Sequence, residues 1–149
     1  AAFLHEKCDV LFISSGYVFG FNSGFRQDLV LNNFIFNGIV NKKIIVFGDG
    51  TQSRPFTSLN KLCGVLIDSL KQSDTINNGV VYENIIEFDA SLNDLKDWLM
   101  TYIPSLEYTY LNTNISYDGQ STRESNKLTD YKNMLEQMFL EFKDNISIV

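Results

Sequence analysis

A fold in which strands and helices alternate is predicted by three features of this 149-residue chain. Short apolar runs that end in Gly or Ser are typical of buried strands, and longer runs with apolar residues at helical spacing are typical of amphipathic helices. Strand-like and helix-like segments alternate along the chain. The composition, 44% hydrophobic and 13% aromatic, suffices for one sizeable core. The sequence therefore predicts an α/β or α+β fold, as a single domain over residues 1–149.

The elements follow from the order of these runs. Strands are predicted over 9–13, 43–47, 80–84 and 106–111, and helices over 27–40, 59–71, 92–103 and 127–143. The third helix has the clearest boundaries, because Ser91 and Asp94 are spaced as a capping box and Pro104 ends the run. Trp98 and Leu99 are expected on its buried face. The segment 20–24, between two glycines, is predicted to be a loop.

Composition also excludes several classes of function. A formal net charge of -6 and an isoelectric point near 4.6 argue against nucleic-acid binding, because neutralising phosphates requires clustered Lys and Arg. No apolar run reaches the ~20 residues that cross a bilayer, and no secretory signal is recognised, so we expect a cytoplasmic protein. Cys8 and Cys63 are predicted to be reduced, buried thiols. A single histidine, His5, leaves no His-based metal site.

Two motifs in the first half of the chain suggest a family. The first is Asp28-Leu29-Val30-Leu31-Asn32 at the start of a predicted helix, shortly after Gly16-Tyr17-Val18-Phe19-Gly20. The second follows a predicted strand and reads Gly48-x-Gly50-x-x-x-Arg54-Pro55-Phe56. Together these motifs resemble the substrate half of NAD-dependent nucleotide-sugar epimerases and dehydratases, the extended short-chain dehydrogenase/reductase family. The match covers residues 9–71 and is loose from residue 73 onward.

The resemblance implies a fold as well as a binding site. The expected fold is the C-terminal part of an extended Rossmann-type structure, with a small mixed sheet and flanking helices. Residues 1–20 would be the tail of the Rossmann core, and the N-terminal, dinucleotide-binding half would be absent. The opening segment, from Ala1, lacks a capping residue and resembles the end of a helix, so either the chain is a fragment of a longer polypeptide or its first residues are not those that the gene encodes. The implied partners are that missing half, or a homodimer partner.

The implied ligand is a nucleotide-diphosphate sugar. Arg54 would clamp the diphosphate, since a guanidinium matches phosphate oxygens at two points. Arg123 is a second candidate for the diphosphate, although Gln120 stands at the usual position of that cation. The other implied substrate contacts lie at the helix start and at a strand end, at Arg26, Asp28, Leu29, Val30, Asn32 and Phe47. Arg26 could equally be a solvated surface residue. Tyr17 is the implied cofactor contact.

The family's catalytic and cofactor motifs are missing from the sequence. Family enzymes bind NAD(P) at a Gly-rich turn between a strand and a helix, and their base is a Tyr with a Lys four residues later. None of the seven tyrosines has Lys at that position. The complete enzyme would transfer a hydride transiently to NAD(P), but this chain is not expected to bind the cofactor alone or to supply a catalytic residue.

Alternatives remain open at two points. Residues 12–20 also resemble an earlier family strand, in which Ser15 would be the catalytic hydroxyl, but the short step to Asp28 favours the later strand. For function, the alternatives to half of an epimerase or dehydratase are a non-catalytic binding or scaffold remnant and an unrelated α/β domain. Apolar surface left uncovered at Ile13, Val18 and Phe19 would argue against the unrelated domain.

Overall fold

The computed structural model describes residues 10–71, 80–111 and 128–146. The strands are β1 (Val10–Ser15), β2 (Tyr17–Phe19), β3 (Lys43–Phe47), β4 (Ser53–Ser58), β5 (Val80–Ile85), β6 (Phe88–Ser91) and β7 (Glu107–Leu111). The helices are α1 (Val30–Asn41), α2 (Leu59–Lys71), α3 (Leu92–Tyr102) and α4 (Lys132–Ile146), the last preceded by a 3-10 turn, Leu128–Tyr131. This mixture of small sheets and helices confirms the predicted α/β class.

The strands of the described residues pair in three small sheets. β1 pairs with β5 and β3 pairs with β7, both in parallel. β4 lies between β2, which is parallel to it, and β6, which is antiparallel. Parallel pairs need long crossover connections, and in this chain helices supply part of each crossover. The paired strands therefore come from distant parts of the sequence.

The core lies where α1, α3 and α4 pack around β3, β4 and β6. α1 contacts β3, α3 and α4. Its buried residues include Phe34 and Ile35, which join Phe56, Leu95 and Phe142 in one apolar cluster. Trp98 and Leu99 are also buried, as predicted for α3. Val30 at the start of α1 packs against this core, and the strands on either side of the turn 48–52 contribute Val46 and Phe56 to it.

Two elements begin and end as the sequence predicts, and a third has its predicted cap. β3 and α2 have the predicted bounds. At the start of α3, the Ser91 side chain accepts a hydrogen bond from the Asp94 amide at 3.1 Å, and the Asp94 carboxylate accepts one from the Ser91 amide at 2.9 Å. This reciprocal pair confirms the capping box.

The start of α1 was predicted three residues too early. The helix begins at Val30, and Leu29 has extended backbone angles. Side-chain amides take the carbonyls that a longer helix would use: Asn32 donates to Arg26 O at 3.1 Å and Asn33 to Gln27 O at 3.0 Å. Asn side chains compete with helical hydrogen bonds in this way, so the segment before Leu29 stays a loop.

Three short strands, β2, β4 and β6, were not predicted. β4 contains Pro55, which cannot donate a ladder hydrogen bond. Pro55 is tolerated because this end of β4 pairs only with β6, where it faces Asp89, whereas β2 pairs from Phe56 onward. β2 and β6 are too short to show the alternation of apolar and polar residues that predicts a strand.

Apolar side chains are exposed on α2 and β5. No residue of α2 is buried, and Ile67 and Leu70 are 51% and 76% exposed. Tyr82 of β5 is 73% exposed and stacks on Phe12 of β1. The exposure expected at Phe19 is wrong, since this residue is buried in the core against Phe56 and Phe88.

One predicted burial is wrong, and two residues with predicted roles or burial lie outside the described ranges. Cys63 is exposed rather than buried, because it lies on α2. Cys8 and Arg123 lie outside the described residues. Within the described ranges, no helix is long and apolar enough to cross a membrane.

Candidate functional site

The turn that joins β3 to β4, residues 48–52, has a backbone that requires glycine. Gly48 and Gly50 have φ angles of 69° and 76°, in the left-handed region that other residues rarely adopt. Asp49 accepts hydrogen bonds at one carboxylate oxygen from the Thr51 amide at 2.9 Å and from its hydroxyl at 2.7 Å. These bonds, led by the hydroxyl, lower the pKa of Asp49. The Gln52 side chain donates to Phe47 O at 2.6 Å. The turn is therefore closed by its own side chains.

Phe47 and Arg54 flank this turn. Phe47 is the last residue of β3 and is 51% exposed. Arg54 is the second residue of β4, is partly buried and faces Ala90 of β6. Its Nη1 donates to Ser53 O at 3.0 Å. The structure thus puts an accessible aromatic ring and a guanidinium at the two ends of one hydrogen-bonded turn.

The turn is also held from outside by Asn93, the second residue of α3. The Asn93 backbone amide donates to Gly50 O at 3.0 Å, and its side-chain amide donates to Asp49 O at 3.1 Å. Its side-chain oxygen accepts a hydrogen bond from the Tyr110 hydroxyl at 2.8 Å. A Cβ on Gly50 would lie 2.8 Å from Cγ of Asn93, so glycine is needed here for space as well as conformation.

Lys96 lies one helical turn after Asn93 and is only 8% exposed. Its Nζ donates to the Tyr110 hydroxyl at 3.3 Å, lies 3.1 Å from the Asp97 carboxylate, and sits 4.6 Å from the centre of the Tyr108 ring. Burial lowers the pKa of Lys96, but the hydrogen bonds with Asp97 and Tyr110 outweigh it, and the net shift is upward. Lys96 therefore stays charged beneath the tyrosines of β7.

A second group of candidate residues lies in the loop 20–29 and the start of α1. Asn32 is 2% exposed, and both ends of its amide bind backbone. Its oxygen accepts from the Gly20 amide at 3.1 Å, and its nitrogen donates to Arg26 O at 3.1 Å. Asn32 therefore ties the two ends of this loop to the helix.

Arg26 and Asp28 form an ion pair at the surface of the same loop. Nε of Arg26 donates to the Asp28 carboxylate at 3.0 Å, and the two side chains are 68% and 64% exposed. The hydrogen bond from Arg26 is the main cause that lowers the pKa of Asp28, and the same bond raises the pKa of Arg26. The pair is charged at neutral pH and open to solvent.

The other predicted contacts are less directly exposed to a ligand. Leu29 and Val30 are partly buried, and Val30 packs on the core cluster. Tyr17 is 43% exposed on β2, with its ring 6.2 Å from that of Phe56. The structure therefore puts most of the predicted residues beside the turn 48–52 or in residues 26–32, and Tyr17 lies outside both segments, on β2.

Neither the glycine turn nor a small cleft elsewhere in the chain has the features of a dinucleotide site. The sequence has one Gly-x-Gly, at residues 48–50, and it lies between two strands rather than between a strand and a helix. A cleft beside Phe21, Leu59 and Met138 has a volume of about 60 Å³. Ligand sites commonly measure about 300–1,000 Å³, so this cleft is too small for a cofactor. Among residues 10–71, 80–111 and 128–146, no group of three acidic, His or Cys side chains could hold a metal.

The fold is that of NAD-dependent nucleotide-sugar epimerases and dehydratases, over about half their length. A UDP-N-acetylglucosamine 4-epimerase from Methanobrevibacter ruminantium, in complex with UDP-N-acetylmuramic acid, is 19% identical with a TM-score of 0.71; the match covers 97% of this chain and 50% of that one. An ADP-L-glycero-D-manno-heptose-6-epimerase from Helicobacter pylori is 14% identical with a TM-score of 0.72, covering 95% and 48%. A UDP-glucuronic acid 4-epimerase from Bacillus cereus, in complex with UDP-glucuronic acid and NAD, is 21% identical with a TM-score of 0.66, covering 90% and 45%.

At these identities the likeness establishes the fold. It confirms the resemblance inferred from the sequence, including its restriction to part of such an enzyme, since the chain spans about half the length of the solved structures that it matches. No protein-family model and no curated protein matches the chain.

Sequence reasoning missed Asn93, Lys96 and Tyr110. Asn93 lies inside the predicted capping box and Tyr110 inside the predicted last strand. Neither position carries a local signal of its tertiary partner, because Asn93 meets a turn 44 residues earlier and a strand 17 residues later.

Proposed function

We propose that this chain is the nucleotide-sugar-binding portion of an NAD-dependent epimerase or dehydratase. The observation that carries the proposal is Arg54, held beside a rigid glycine turn in this fold. A guanidinium fork binds a diphosphate at two points. The chain has a net charge of -6, so an anionic ligand requires a specifically placed cation rather than a general positive field.

The rest of the proposed site follows from the same two segments. Phe47 offers an exposed ring to the base or ribose, and Leu29 and Val30 offer apolar contact at the start of α1. Asn32 keeps the loop 20–29 in place through its two backbone bonds. Arg26 keeps N–H donors that Asp28 does not use, and Arg123 remains a candidate second cation.

We also propose that NAD binding and catalysis need a dinucleotide-binding half that covers α2 and the β1–β5 pair. Parallel strands are normally covered on both faces, and a two-stranded sheet alone is marginal. Here Val81 and Tyr82 of β5 are 44% and 73% exposed. Leu66 and Ile67 of α2 are 43% and 51% exposed. A homodimer partner is the alternative cover for these side chains.

Calorimetric titration of the 149-residue chain with UDP-, dTDP-, GDP- and CDP-sugars tests the binding proposal. Arg54→Ala should raise the Kd of the ligand about tenfold or more, because a charge-assisted hydrogen bond is lost. The affinity of Arg54→Lys should lie between those of the wild type and Arg54→Ala, since Lys keeps the charge but lacks the two-point guanidinium geometry. Lys61→Ala, which removes an exposed cation on α2, is the matched control and should change nothing. Equal effects of Arg54→Ala and Lys61→Ala would overturn the role of Arg54.

A non-catalytic sugar-nucleotide-binding protein is the second candidate. This chain supplies no Tyr-x-x-x-Lys pair itself, so catalysis would need that pair from elsewhere in the natural polypeptide. The mass of the natural polypeptide, together with an NAD-dependent turnover assay on it, separates the two. A mass near twice the 17.0 kDa of this chain, with conversion of the bound sugar, supports the enzyme. Binding without conversion by a 17.0 kDa protein supports the remnant.

A further inference from the structure

Four residues from α3, β7 and the glycine turn form a continuous chain of hydrogen bonds. Lys96 donates to the Tyr110 hydroxyl at 3.3 Å, and that hydroxyl donates to the Asn93 side-chain oxygen at 2.8 Å. The Asn93 side-chain nitrogen then donates to Asp49 O at 3.1 Å. The series runs in one direction, because a charged lysine can only donate.

The direction of the chain settles the orientation of the Asn93 amide. Because Lys96 occupies an acceptor site on the Tyr110 oxygen, the hydroxyl proton is free to point to Asn93. The Asn93 oxygen must then face Tyr110, which leaves its nitrogen facing the turn. The Asn93 backbone amide adds a second bond to the same turn, at Gly50 O. Two adjacent carbonyls of the turn are thereby fixed from α3.

We infer that Asn93 and Tyr110 are positioning residues that set the turn 48–52, and with it Phe47 and Arg54, in the geometry that binds the nucleotide sugar. This inference rests on the proposed function. β7 supports the same arrangement from the other side, since Val46 of β3 pairs with Tyr110. Phe47 and Arg54 are therefore held relative to one another through a turn that cannot relax independently.

Tyr110→Phe is the most specific test, because it removes one hydroxyl from a side chain that is already 43% exposed. Tyr108→Phe is the matched control: it lies two residues earlier on the same strand, is 42% exposed, and has no hydroxyl hydrogen bond among the described residues. Its ring contact with Lys96 survives as Phe. The two variants therefore differ in the hydroxyl that accepts from Lys96 and donates to Asn93.

Titration with the nucleotide sugar of the panel that the wild-type chain binds most tightly gives the first readout. Tyr110→Phe should raise Kd about five-fold, the equivalent of one hydrogen bond, and Tyr108→Phe should leave it unchanged. Asn93→Asp keeps the acceptor for Tyr110 but turns an oxygen toward Asp49 O, so it should also weaken binding. An acid in the first turn of α3 favours the helix, and urea denaturation of the variant checks that α3 stays folded.

Two further readouts separate positioning from a purely structural role. Amide exchange at residues 48–52 should quicken in Tyr110→Phe while exchange in α1 stays unchanged. In an Arg54→Ala background the effect of Tyr110→Phe on Kd should shrink below about two-fold, because the positioned group that contacts the diphosphate is gone and only Phe47 remains.

Each outcome bears on one proposal. Binding by the wild type with an unchanged Kd in Tyr110→Phe and Asn93→Asp would overturn this inference and leave the proposed function standing. The same loss of affinity in Tyr108→Phe would also overturn it. Failure of the wild-type chain to bind any sugar of the panel would overturn both.

Discussion

The side-chain oxygen of Asn32 accepts a hydrogen bond from the backbone amide of Gly20 at 3.1 Å. The nitrogen of the same amide donates to Arg26 O at 3.1 Å. One buried side chain thus closes the loop 20–29 and sets where α1 begins, and it places Arg26 and Asp28 at the surface. The sequence resemblance nominates Asn32 as a substrate contact; the geometry makes it a support for the residues that could be contacts.

Replacing Asn32 by Ala should lower the free energy of unfolding by about 1–3 kcal/mol, because two backbone groups lose their buried partner. Asn41→Ala is the control, since Asn41 lies exposed at the other end of α1 and should change stability by less than about 0.5 kcal/mol. Urea denaturation of both variants measures the difference. Equal small effects would mean that the loop does not depend on Asn32.

Replacing Gly16 by Ala should destabilise the contact between β2 and β4. An added Cβ would lie 2.6 Å from Pro55 O, a backbone atom that cannot move without opening the sheet. Overpacking of this kind costs about 1–3 kcal/mol. Gly64→Ala is the opposite case: nothing lies within 4 Å of its Cβ position on α2, and helix propensity favours Ala by about 0.8–1.0 kcal/mol. In thermal denaturation, the melting temperature should fall in Gly16→Ala and rise in Gly64→Ala. A change in the same direction in both variants would contradict this packing.

The Arg26–Asp28 pair predicts a small dependence of stability on pH. The folded-state pKa of Asp28 is lowered from its ordinary value of 3.8, chiefly by the hydrogen bond from Arg26. The pair therefore contributes stability above pH 3.8, and the contribution is lost as the pH falls through the lowered pKa. Asp28→Asn should be slightly less stable than the wild type at pH 7 and equally stable in strong acid. The difference at pH 7 should be smaller in high salt. A pKa of Asp28 at or above 3.8 by carbon NMR would refute the pair in solution.

Substitutions on the exposed face of α2 should change stability only in a protein that has another domain covering this face. In the 149-residue chain, Leu70→Ser should change the free energy of unfolding by less than about 0.5 kcal/mol, because Leu70 is 76% exposed. Leu95→Ala, at a fully buried position, should cost about 2–5 kcal/mol. If the natural protein includes a dinucleotide-binding half on this face, Leu70→Ser should lower its melting temperature clearly more than that of the short chain. The same small shift in both would argue against that cover.

Local signals predicted the elements whose boundaries are local. β3 ends just before Gly48 and α2 shows helical spacing throughout, and both have the predicted bounds. The capping box at Ser91 depends on residues three apart and is likewise confirmed. β4 was missed because Pro55 argues against a strand, and only its position beyond the end of β2 makes it acceptable.

The site could be predicted only through the family resemblance. Arg54 and Phe47 were nominated by motif, and their roles stay predictions. The contact between Asn93 and the glycine turn depends on the tertiary packing that brings the start of α3 to the turn, which no spacing in the sequence reports. The exposure of α2 was missed for a related reason: an apolar stripe predicts a buried face, but not whether the chain itself supplies the cover.

An NMR titration of the 149-residue chain with UDP-, dTDP-, GDP- and CDP-sugars tests the central claim most directly. The account predicts saturable shifts at the amides of Gly48, Gly50 and Thr51 and at Nε of Arg54, with the amides of α2 unaffected. Saturable binding with shifts confined to another place, such as the cleft beside Phe21 and Met138, would contradict the site. Unchanged spectra with every sugar would contradict nucleotide-sugar binding by this chain.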